Sequence, residues 1–352
     1  MSTPLAMFEH TQDISLPLGS ASSYPGNLAV CYLDTRNTTF AAVTQNTNVH
    51  VAHWDTRSDV VTWESFNIVD MATEKSITIT HVGLVHPNAR SLPLLVVGTV
   101  MGTQVYDVRT HRLLMQVNLS AVLKVTPNQE KTILELIVEA FHAMTTPYLS
   151  DESCLGTHVG DILILMCNGE TSISTRRNLK EHNDSIADIA TCRFDEITCS
   201  ATNAGEIIVW QKPVKGVQSR IDTKQSLSCI NVLRKQVIAG TMRGVLLFYS
   251  VVSGDLMAEV HAHARLITSV SVAPESAYVM SASEDSTFKV YKLHTRKPHA
   301  YQVEYRYGKR QKDHCIVGAQ FTNGRGSAIA ISSYDRTTLA MYKIIKKVSA
   351  TE

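Results

Sequence analysis

Three carboxylates, Asp151, Glu152 and Asp161, come closest in type and spacing to a catalytic group. Carboxylates roughly 5 to 10 Å apart hydrolyse glycosidic bonds, one as an acid and the other as a nucleophile or base. All three lie in or beside the longest insertion, residues 145–156, where a solvated loop is the simpler interpretation. The motifs H-E-x-x-H, G-x-S-x-G, G-x-G-x-x-G, the P-loop and the kinase signatures do not occur. The sequence therefore predicts no catalytic residue and no cofactor.

The histidines and cysteines lack the spacing of a zinc site. His261 and His263 would face the same side of a strand, as two metal ligands do. A third and a fourth ligand at a diagnostic spacing are missing from the sequence, so we interpret His263 as a turn residue and His261 as a surface residue. The seven cysteines never form C-x-x-C and stand mostly in apolar runs, which is typical of buried, reduced cysteines. No metal site is predicted.

Charge and hydropathy argue against several classes of function. The 33 basic and 32 acidic side chains give a net charge of +1, so there is no electrostatic reason to expect a nucleic acid as partner. No stretch reaches the ~18 apolar residues of a membrane span, and residues 1–30 lack the features of a signal peptide. We expect a cytoplasmic protein without membrane insertion and without a small-molecule substrate.

Two segments are copies of one pattern. Residues 181–211 and residues 262–292 align without a gap. Each has a histidine, apolar residues at strand spacing, a serine, a tight turn and a strand that ends in Trp210 or Tyr291. Weaker copies cover residues 38–54, 94–106, 161–168, 236–249 and 315–345. A period of ~40–45 residues is that of a WD-type propeller blade, which buries its faces only against neighbouring blades.

These copies predict an all-β fold, a seven-bladed WD-repeat β-propeller, as one domain over residues 1–352. The blades are expected at residues 24–66, 76–118, 131–180, 182–222, 227–260, 262–304 and 314–345. Within the third blade, residues 131–144 are expected to form a buried strand. Only seven residues follow Ile345, too few for the outer strand of the last blade. We therefore expect the strand at residues 13–18 to close the ring in its place.

A polar network is expected inside the clearest blades. In WD blades a His, a Ser or Thr, an Asp and a Trp form a line of hydrogen bonds that satisfies buried polar groups. The matching residues are His263, Ser281, Asp285 and Tyr291 in blade six, and His182, Ser200 and Trp210 in blade four. Blade four has Ala204, and blade five Arg243, where the Asp is expected. We assign these residues a structural role.

A basic cluster separates blades six and seven. It consists of Arg306, Tyr307, Lys309, Arg310 and Lys312. The simpler interpretation is a solvated loop between two blades. The alternative is a binding site for an acidic partner, such as a tubulin tail, an acidic peptide or RNA.

Several stretches carry a resemblance to a known family. They include ISLPLGSA (residues 14–21), VIAGTMRG (237–244), SGDLMAEVHAHARLIT (253–268), MSASEDSTFKVYKL (280–293) and SSYD (332–335). Over nearly its full length the chain resembles the WD repeat-containing protein 54 family. The resemblance implies a seven-bladed propeller without catalytic activity or cofactor, which acts through other proteins.

Three functions follow as hypotheses. The first is a non-enzymatic protein–protein interaction scaffold or a structural subunit of a larger assembly, with the axoneme of a cilium or flagellum as a candidate location. The alternative is an adaptor that reads a phosphorylated, acidic or ubiquitin-like partner on one propeller face. The third, a hydrolase, requires carboxylates that converge in the central channel.

Overall fold

Short antiparallel strands joined by tight turns make up the computed structural model. It describes residues 7–17, 19–55, 60–118, 141–145, 152–192, 194–212, 214–295 and 301–345. In these ranges 28 strands form seven four-stranded sheets, and the one helical element is the short 3-10 turn Asp34–Arg36. The prediction of an all-β, seven-bladed propeller is confirmed.

Each sheet is one blade, in which consecutive strands run from the inner to the outer edge, except that β1 forms the outer edge of blade seven. Blade one comprises β2 Ala29–Leu33, β3 Thr38–Gln45, β4 Asn48–Asp55 and β5 Thr62–Asn67, and blade two comprises β6 Ile79–Val85, β7 Leu94–Thr99, β8 Gly102–Asp107 and β9 Leu113–Asn118. Blade three comprises β10 Phe141–Thr145, β11 Glu152–Thr157, β12 Asp161–Asn168 and β13 Ser172–Lys180, and blade four comprises β14 Ile186–Cys192, β15 Ile197–Thr202, β16 Glu206–Trp210 and β17 Val217–Asp222. Blade five comprises β18 Leu227–Leu233, β19 Gln236–Thr241, β20 Val245–Ser250 and β21 Leu256–His261, and blade six comprises β22 Ile267–Ala273, β23 Tyr278–Ser283, β24 Thr287–His294 and β25 Gln302–Arg310. Blade seven comprises β26 Ile316–Phe321, β27 Ala328–Ser333, β28 Thr338–Ile344 and β1 Phe8–Ser15.

Burial of the strands follows their position in the blade. Middle strands such as β7 (LLVVGT) and β19 (QVIAGT) are buried at every residue, because a neighbouring blade covers each of their faces. Outer strands such as β13 (SISTRRNLK) are largely exposed and polar. The continuous apolar runs therefore mark the middle of each blade.

In the described part of the chain the core consists of seven apolar clusters, one between each pair of adjacent blades. Ile164 and Ile208 belong to the cluster between blades three and four. Ala330 and Val43 belong to the cluster between blades seven and one, which completes the ring. Every blade is thus stabilised by two neighbours. Exposing apolar surface at any of these interfaces to water would lower the free energy of unfolding by about 25 cal/mol per Å2.

Strand β1 closes the ring as predicted. It pairs antiparallel with β28, from Phe8 opposite Ile344 to Ser15 opposite Thr338. The strand occupies residues 8–15, five residues earlier at its start than the expected 13–18. Phe8 is 1% exposed and packs in the core beside Tyr307, with ring centroids 5.5 Å apart. Most other side chains of β1 face solvent, and this polar composition hid the beginning of the strand.

Two segments interpreted as loops are strands instead. The basic cluster lies mostly in β25, the outer strand of blade six, which extends to Arg310 rather than ending near residue 304. Glu152–Thr157 forms β11, so the end of the presumed insertion at residues 145–156 belongs to blade three. An outer strand that faces solvent has the polar composition of a loop, which explains the first error. Of the strand expected at residues 131–144, residues 131–140 lie outside the described part of the chain.

Candidate partner-binding surface

A line of hydrogen bonds crosses blade four through the residues singled out in the sequence. The Ser200 hydroxyl lies 2.7 Å from His182 Nε2 and accepts a hydrogen bond from Trp210 Nε1 at 2.9 Å. His182 Nδ1 lies 2.6 Å from Glu206 Oε2. Glu206, two positions after Ala204, therefore supplies the carboxylate that the sequence comparison found missing. Arg220 in turn donates to Glu206 Oε1 at 2.7 Å.

The charges of this line follow from burial and partners. Burial lowers the pKa of His182, against the opposing effect of Glu206. Although burial alone would raise the pKa of Glu206, hydrogen bonds from Arg220 and His182 hold it below its ordinary value. A carboxylate only accepts, so neutral His182 carries its hydrogen on Nδ1 and accepts the Ser200 proton at Nε2. Every buried polar atom in the line then has a partner.

Blade six has the same arrangement with a different end. His263 Nε2 lies 2.8 Å from Ser281 Oγ, and His263 Nδ1 lies 3.2 Å from Asp285 Oδ2 and 2.9 Å from Thr287 Oγ1. Burial lowers the pKa of His263. Tyr291, in the place of the Trp, packs its ring against Tyr305 with centroids 6.0 Å apart. These polar side chains hold the strands and turns of the blade together.

Four of the seven turns between second and third strands share a signature, T-x-x-G, at residues 99–102, 157–160, 202–205 and 241–244. In the turn of blade five, Thr241 Oγ1 accepts a hydrogen bond from Val245 N–H at 2.9 Å. Gly244 has a φ of +82°, and a Cβ there would collide with the carbonyl oxygen of His263 at the entry to the next blade. A Cβ at Gly160 or Gly205 would likewise collide with the carbonyl oxygen of His182 or Gln225, so these turns too are fixed against the connection that leads into the following blade.

These turns and connections form one face of the ring, named here the turn face. Its turns are residues 46–47, 100–101, 158–160, 203–205, 242–244, 284–286 and 334–337. The backbone N–H groups of Asn203, Met242 and Tyr334 donate to the connections that enter their own blades. The carbonyls of Asn203 and Gly244 accept from the N–H groups of Leu227 and His263 at the entry to the next blade. The other turns, which join first to second and third to fourth strands, form the opposite face.

Large apolar side chains are exposed on the turn face. In four of the described turns they are Met101 (50% exposed), Val159 (37%), Met242 (41%) and Tyr334 (49%), and Met71 (59%) lies in a connection between blades. On the opposite face, Val60, Phe194 and Val252 are exposed, each in a different blade. Turns that a rigid ring holds in place are typical carriers of binding residues.

A central cavity of about 470 Å3 extends along the inner strands and reaches the turn face at Met242 and Leu266. Asp188 lines it and joins two blades, because its carboxylate accepts hydrogen bonds from the N–H groups of Ile189 and Ile230, both at 2.8 Å. Burial raises the pKa of Asp188 to about 7. Asp188 is the one carboxylate that lines this cavity among the described residues.

A second cavity, named here the basic cleft, lies between blades six and seven near the turn face. It has a volume of about 320 Å3. Its cations are Lys309, Arg310 and Lys312 from the end of β25 and the residues after it, and Arg336 from the turn of blade seven. Tyr342 lies among its lining residues, and Lys309 Nζ stands 5.4 Å from the centre of that ring. The sequence did not indicate that Arg336, 24 residues after Lys312, would join the cluster.

Two residues of the predicted basic cluster lie elsewhere. Arg306 donates to Glu304 at 2.8 Å, at a bulge of β25 between Tyr305 and Tyr307. Tyr307 packs inward against Phe8 and Phe288 and belongs to the core between blades six and seven. The structure thus brings together Lys309, Arg310 and Lys312, but not Arg306 or the Tyr307 ring.

The described side chains among the carboxylates and histidines considered for chemistry are engaged at separate places. Asp161 is held by Lys180 at 3.1 Å and Asn178 at 2.8 Å, and Asp151 lies outside the described residues. His261 is exposed and pairs with Glu259, whereas His263 is buried in its blade. In the described ranges no three His, Cys, Asp or Glu side chains are placed to hold a metal ion. Within the same ranges no helix is both long and apolar enough to cross a membrane.

Comparison with solved structures shows the same fold. One is a chain of the "Crystal Structure of Mitotic Checkpoint Complex", with a TM-score of 0.68, 14% identity and 98% of both chains covered. Another is the "Structure of U3-55K", with a TM-score of 0.69, 12% identity, and 94% of this chain and 98% of that chain covered. At such low identity these similarities concern the fold alone.

Comparison with curated proteins shows closer relatives. WD repeat domain 54 of Rattus norvegicus is 32% identical over 195 residues, which cover 52% of this chain and 57% of the relative. WD repeat-containing protein 54 of Homo sapiens is 28% identical over 204 residues, with 54% and 60% covered. The chain therefore spans less than two thirds of the length of these relatives. Because the family model for WDR54 matches residues 7–345, the chain belongs to the WDR54 family.

Proposed function

We propose that this protein is a non-enzymatic protein–protein interaction scaffold whose turn face binds the partner. Membership of a WD-repeat propeller family suggests a scaffold of this kind. We choose the turn face because three features occur together on it. The turn face holds most of the exposed apolar turn side chains, the mouth of the central cavity and the unpaired cations of the basic cleft.

Physical arguments favour this function over catalysis. Glycoside hydrolysis needs two carboxylates about 5 to 10 Å apart. Asp188 stands in the central cavity without a second carboxylate among the described lining residues, and both of its oxygens accept backbone hydrogen bonds. A carboxylate engaged in this way joins blades four and five and is poorly placed to exchange protons with a substrate.

Charge favours a protein over a nucleic acid as the partner. Nucleic-acid binding depends on many phosphate contacts over an extended positive surface. The net charge of +1 and a cluster of four cations in one cleft of about 320 Å3 fit a short protein segment better.

Location and assembly remain part of the proposal. A cytoplasmic scaffold is compatible with seven free cysteines, which fit a reducing compartment. A structural subunit of a ciliary or flagellar axoneme and a soluble adaptor are two forms of the same scaffold. They differ in the proteins captured and in whether the complex resists detergent and salt.

The test is affinity purification of the tagged full-length protein from its own cells, followed by quantitative mass spectrometry. The double variant Met101→Glu/Met242→Glu places two charges on the turn face, and Phe194→Glu/Val252→Glu places the same two charges on the opposite face. All four side chains are exposed, so we expect thermal stability within a few degrees of the wild type. The turn-face variant should lose the specific partners, and the opposite-face variant should keep them. Retention of every partner by the turn-face variant, or equal loss in both, would contradict the proposal.

A further inference from the structure

Four cations line the basic cleft, and none of them has a carboxylate partner among the described residues. Arg306 pairs with Glu304, Arg325 with Glu275, and Arg220 with two glutamates. By contrast, Lys309, Arg310, Lys312 and Arg336 form no ion pair with any residue in the described ranges. Four like charges around one cleft repel each other, and an anion bound between them would relieve this repulsion.

The carboxylates nearest to the cleft are already engaged. Asp13, which also lines it, lies 2.9 Å from His10 Nε2. Asp335 accepts a hydrogen bond from the Ser20 hydroxyl at 3.2 Å. Neither carboxylate is paired with a cleft cation, and the cleft keeps an excess of positive charge.

The backbone that carries the cations is fixed before any ligand arrives. Lys309 and Arg310 pair with Phe288 and Thr287 in the sheet, and the Gln311 N–H donates to the Ser286 carbonyl at 2.7 Å. The Gln311 side chain donates to the Tyr342 hydroxyl at 3.0 Å.

The opposite side of the cleft is equally fixed. The Arg336 N–H donates to the Ser333 carbonyl at 3.2 Å, and its carbonyl accepts from the Ala21 N–H at 3.0 Å. A cleft whose two sides are held by different blades is preorganised, which lowers the entropic cost of binding.

We propose that the basic cleft binds an extended acidic segment of a protein partner, whose carboxylate or phosphate groups lie between Lys309, Arg310 and Lys312 on one side and Arg336 on the other. This inference rests on the proposed scaffold function and names the chemistry of the segment that is bound. Arg336 and exposed Tyr334 share one turn, so the segment would continue from the cleft onto the turn face. Arginine and lysine at such a site bind carboxylate and phosphate through charge-assisted hydrogen bonds.

Fluorescence anisotropy with the full-length protein tests this proposal. The probes are a fluorescein-labelled octaglutamate peptide, a peptide of the same length with two phosphoserines in a neutral sequence, and an octaglutamine control. We expect binding of at least one acidic probe, no measurable binding of octaglutamine, and at least tenfold weaker binding when salt rises from about 50 to about 300 mM. The stronger acidic probe identifies carboxylate or phosphate as the preferred group. A labelled octauridine that binds more tightly than both acidic peptides would overturn the proposal in favour of RNA.

Charge reversals locate the binding. Arg310→Glu/Arg336→Glu changes two cations on opposite sides of the cleft, for neither of which the structure describes a side-chain partner. The control Lys215→Glu/Lys224→Glu changes net charge equally on exposed positions of blade four. We expect at least tenfold weaker peptide binding in the cleft variant and less than a threefold change in the control.

Lys309→Gln/Lys312→Gln is a milder second variant in case the first unfolds, and it should weaken binding at least about threefold. Equal affinity of folded cleft variants and wild type would overturn the proposal, as would an equal loss in the control. The result is independent of the capture experiment with Met101 and Met242. If the Met101→Glu/Met242→Glu variant loses its partners but no acidic peptide binds the wild type, the scaffold function stands and only the acidic-segment proposal is overturned.

Discussion

His182 Nδ1 lies 2.6 Å from Glu206 Oε2, and this contact joins the entrance of blade four to the start of its third strand. The His182 side chain is fully buried, and the Glu206 side chain is 31% exposed. The carboxylate also accepts from Arg220, so it connects a buried hydrogen-bond line to the surface. Glu206 performs the role for which WD blades commonly use an aspartate in the preceding turn.

Replacing Glu206 tests this connection. Glu206→Ala removes the acceptor of a buried N–H and should lower the free energy of unfolding by about 1 to 3 kcal/mol. The measurement is urea denaturation at pH 7.5, followed by tryptophan fluorescence. Glu181→Ala is the matched control, because Glu181 also pairs with Arg220 but does not contact His182 in the hydrogen bonds described. An equally large effect of both variants would show that the Arg220 ion pairs, and not the buried histidine, carry the stabilisation.

Ser200 is the centre of the same line. Ser200→Ala leaves His182 Nε2 and Trp210 Nε1 without their shared partner, and we expect a loss of about 2 to 3 kcal/mol. Ser332, on the corresponding middle strand of blade seven, is as fully buried, and its hydroxyl has no hydrogen-bond partner in the described structure. Ser332→Ala should therefore be neutral or slightly stabilising under the same denaturation. A Ser332→Ala loss as large as that of Ser200→Ala would contradict the assignment.

Stability should depend on pH through the buried histidines. Burial lowers the pKa of His182 in the folded state below its value in the unfolded chain. The unfolded chain therefore binds more protons than the folded protein near pH 6. The contribution of neutral, buried His182 to the free energy of unfolding is complete above about pH 6.5 and is lost as the pH falls below it.

The comparison with His182→Gln isolates this effect. Asp188 contributes to the pH dependence of stability with the opposite sign, because its raised pKa favours the folded state at low pH. Since Asp188 is present in both proteins, its contribution cancels in the comparison. The difference in the free energy of unfolding between wild type and His182→Gln should shrink from about pH 7.5 to about pH 5.5. A difference that stays constant or grows toward low pH would contradict a neutral, buried His182.

The repeat could be predicted from the sequence because its signals are local. Each blade has an apolar run in its middle strands and a turn that requires a special backbone, as at Gly244. The T-x-x-G signature in four of these turns was available in the sequence and would have strengthened the assignment of blades two and three, where no network was proposed.

Residues that act across blades were harder to predict. The outer strands β1 and β25 carry polar sequences because one side faces solvent, so one began earlier than expected and the other was interpreted as a loop. Arg336 meets Lys309 only because two blades are adjacent in the ring. Glu206 replaces an aspartate two positions away because its longer side chain reaches the same histidine.

Photo-crosslinking from blade five tests the central claim, that partners bind the turn face, most directly. A benzophenone amino acid is placed in cells at position 242, on the turn face, or at position 252, on the opposite face of the same blade. Met242 and Val252 are both exposed, and at each position the benzophenone replaces one apolar side chain by another. We predict a crosslinked partner from position 242 and none from position 252. Crosslinking from position 252 alone, or from neither position while the partner is still captured by affinity, would contradict binding at the turn face.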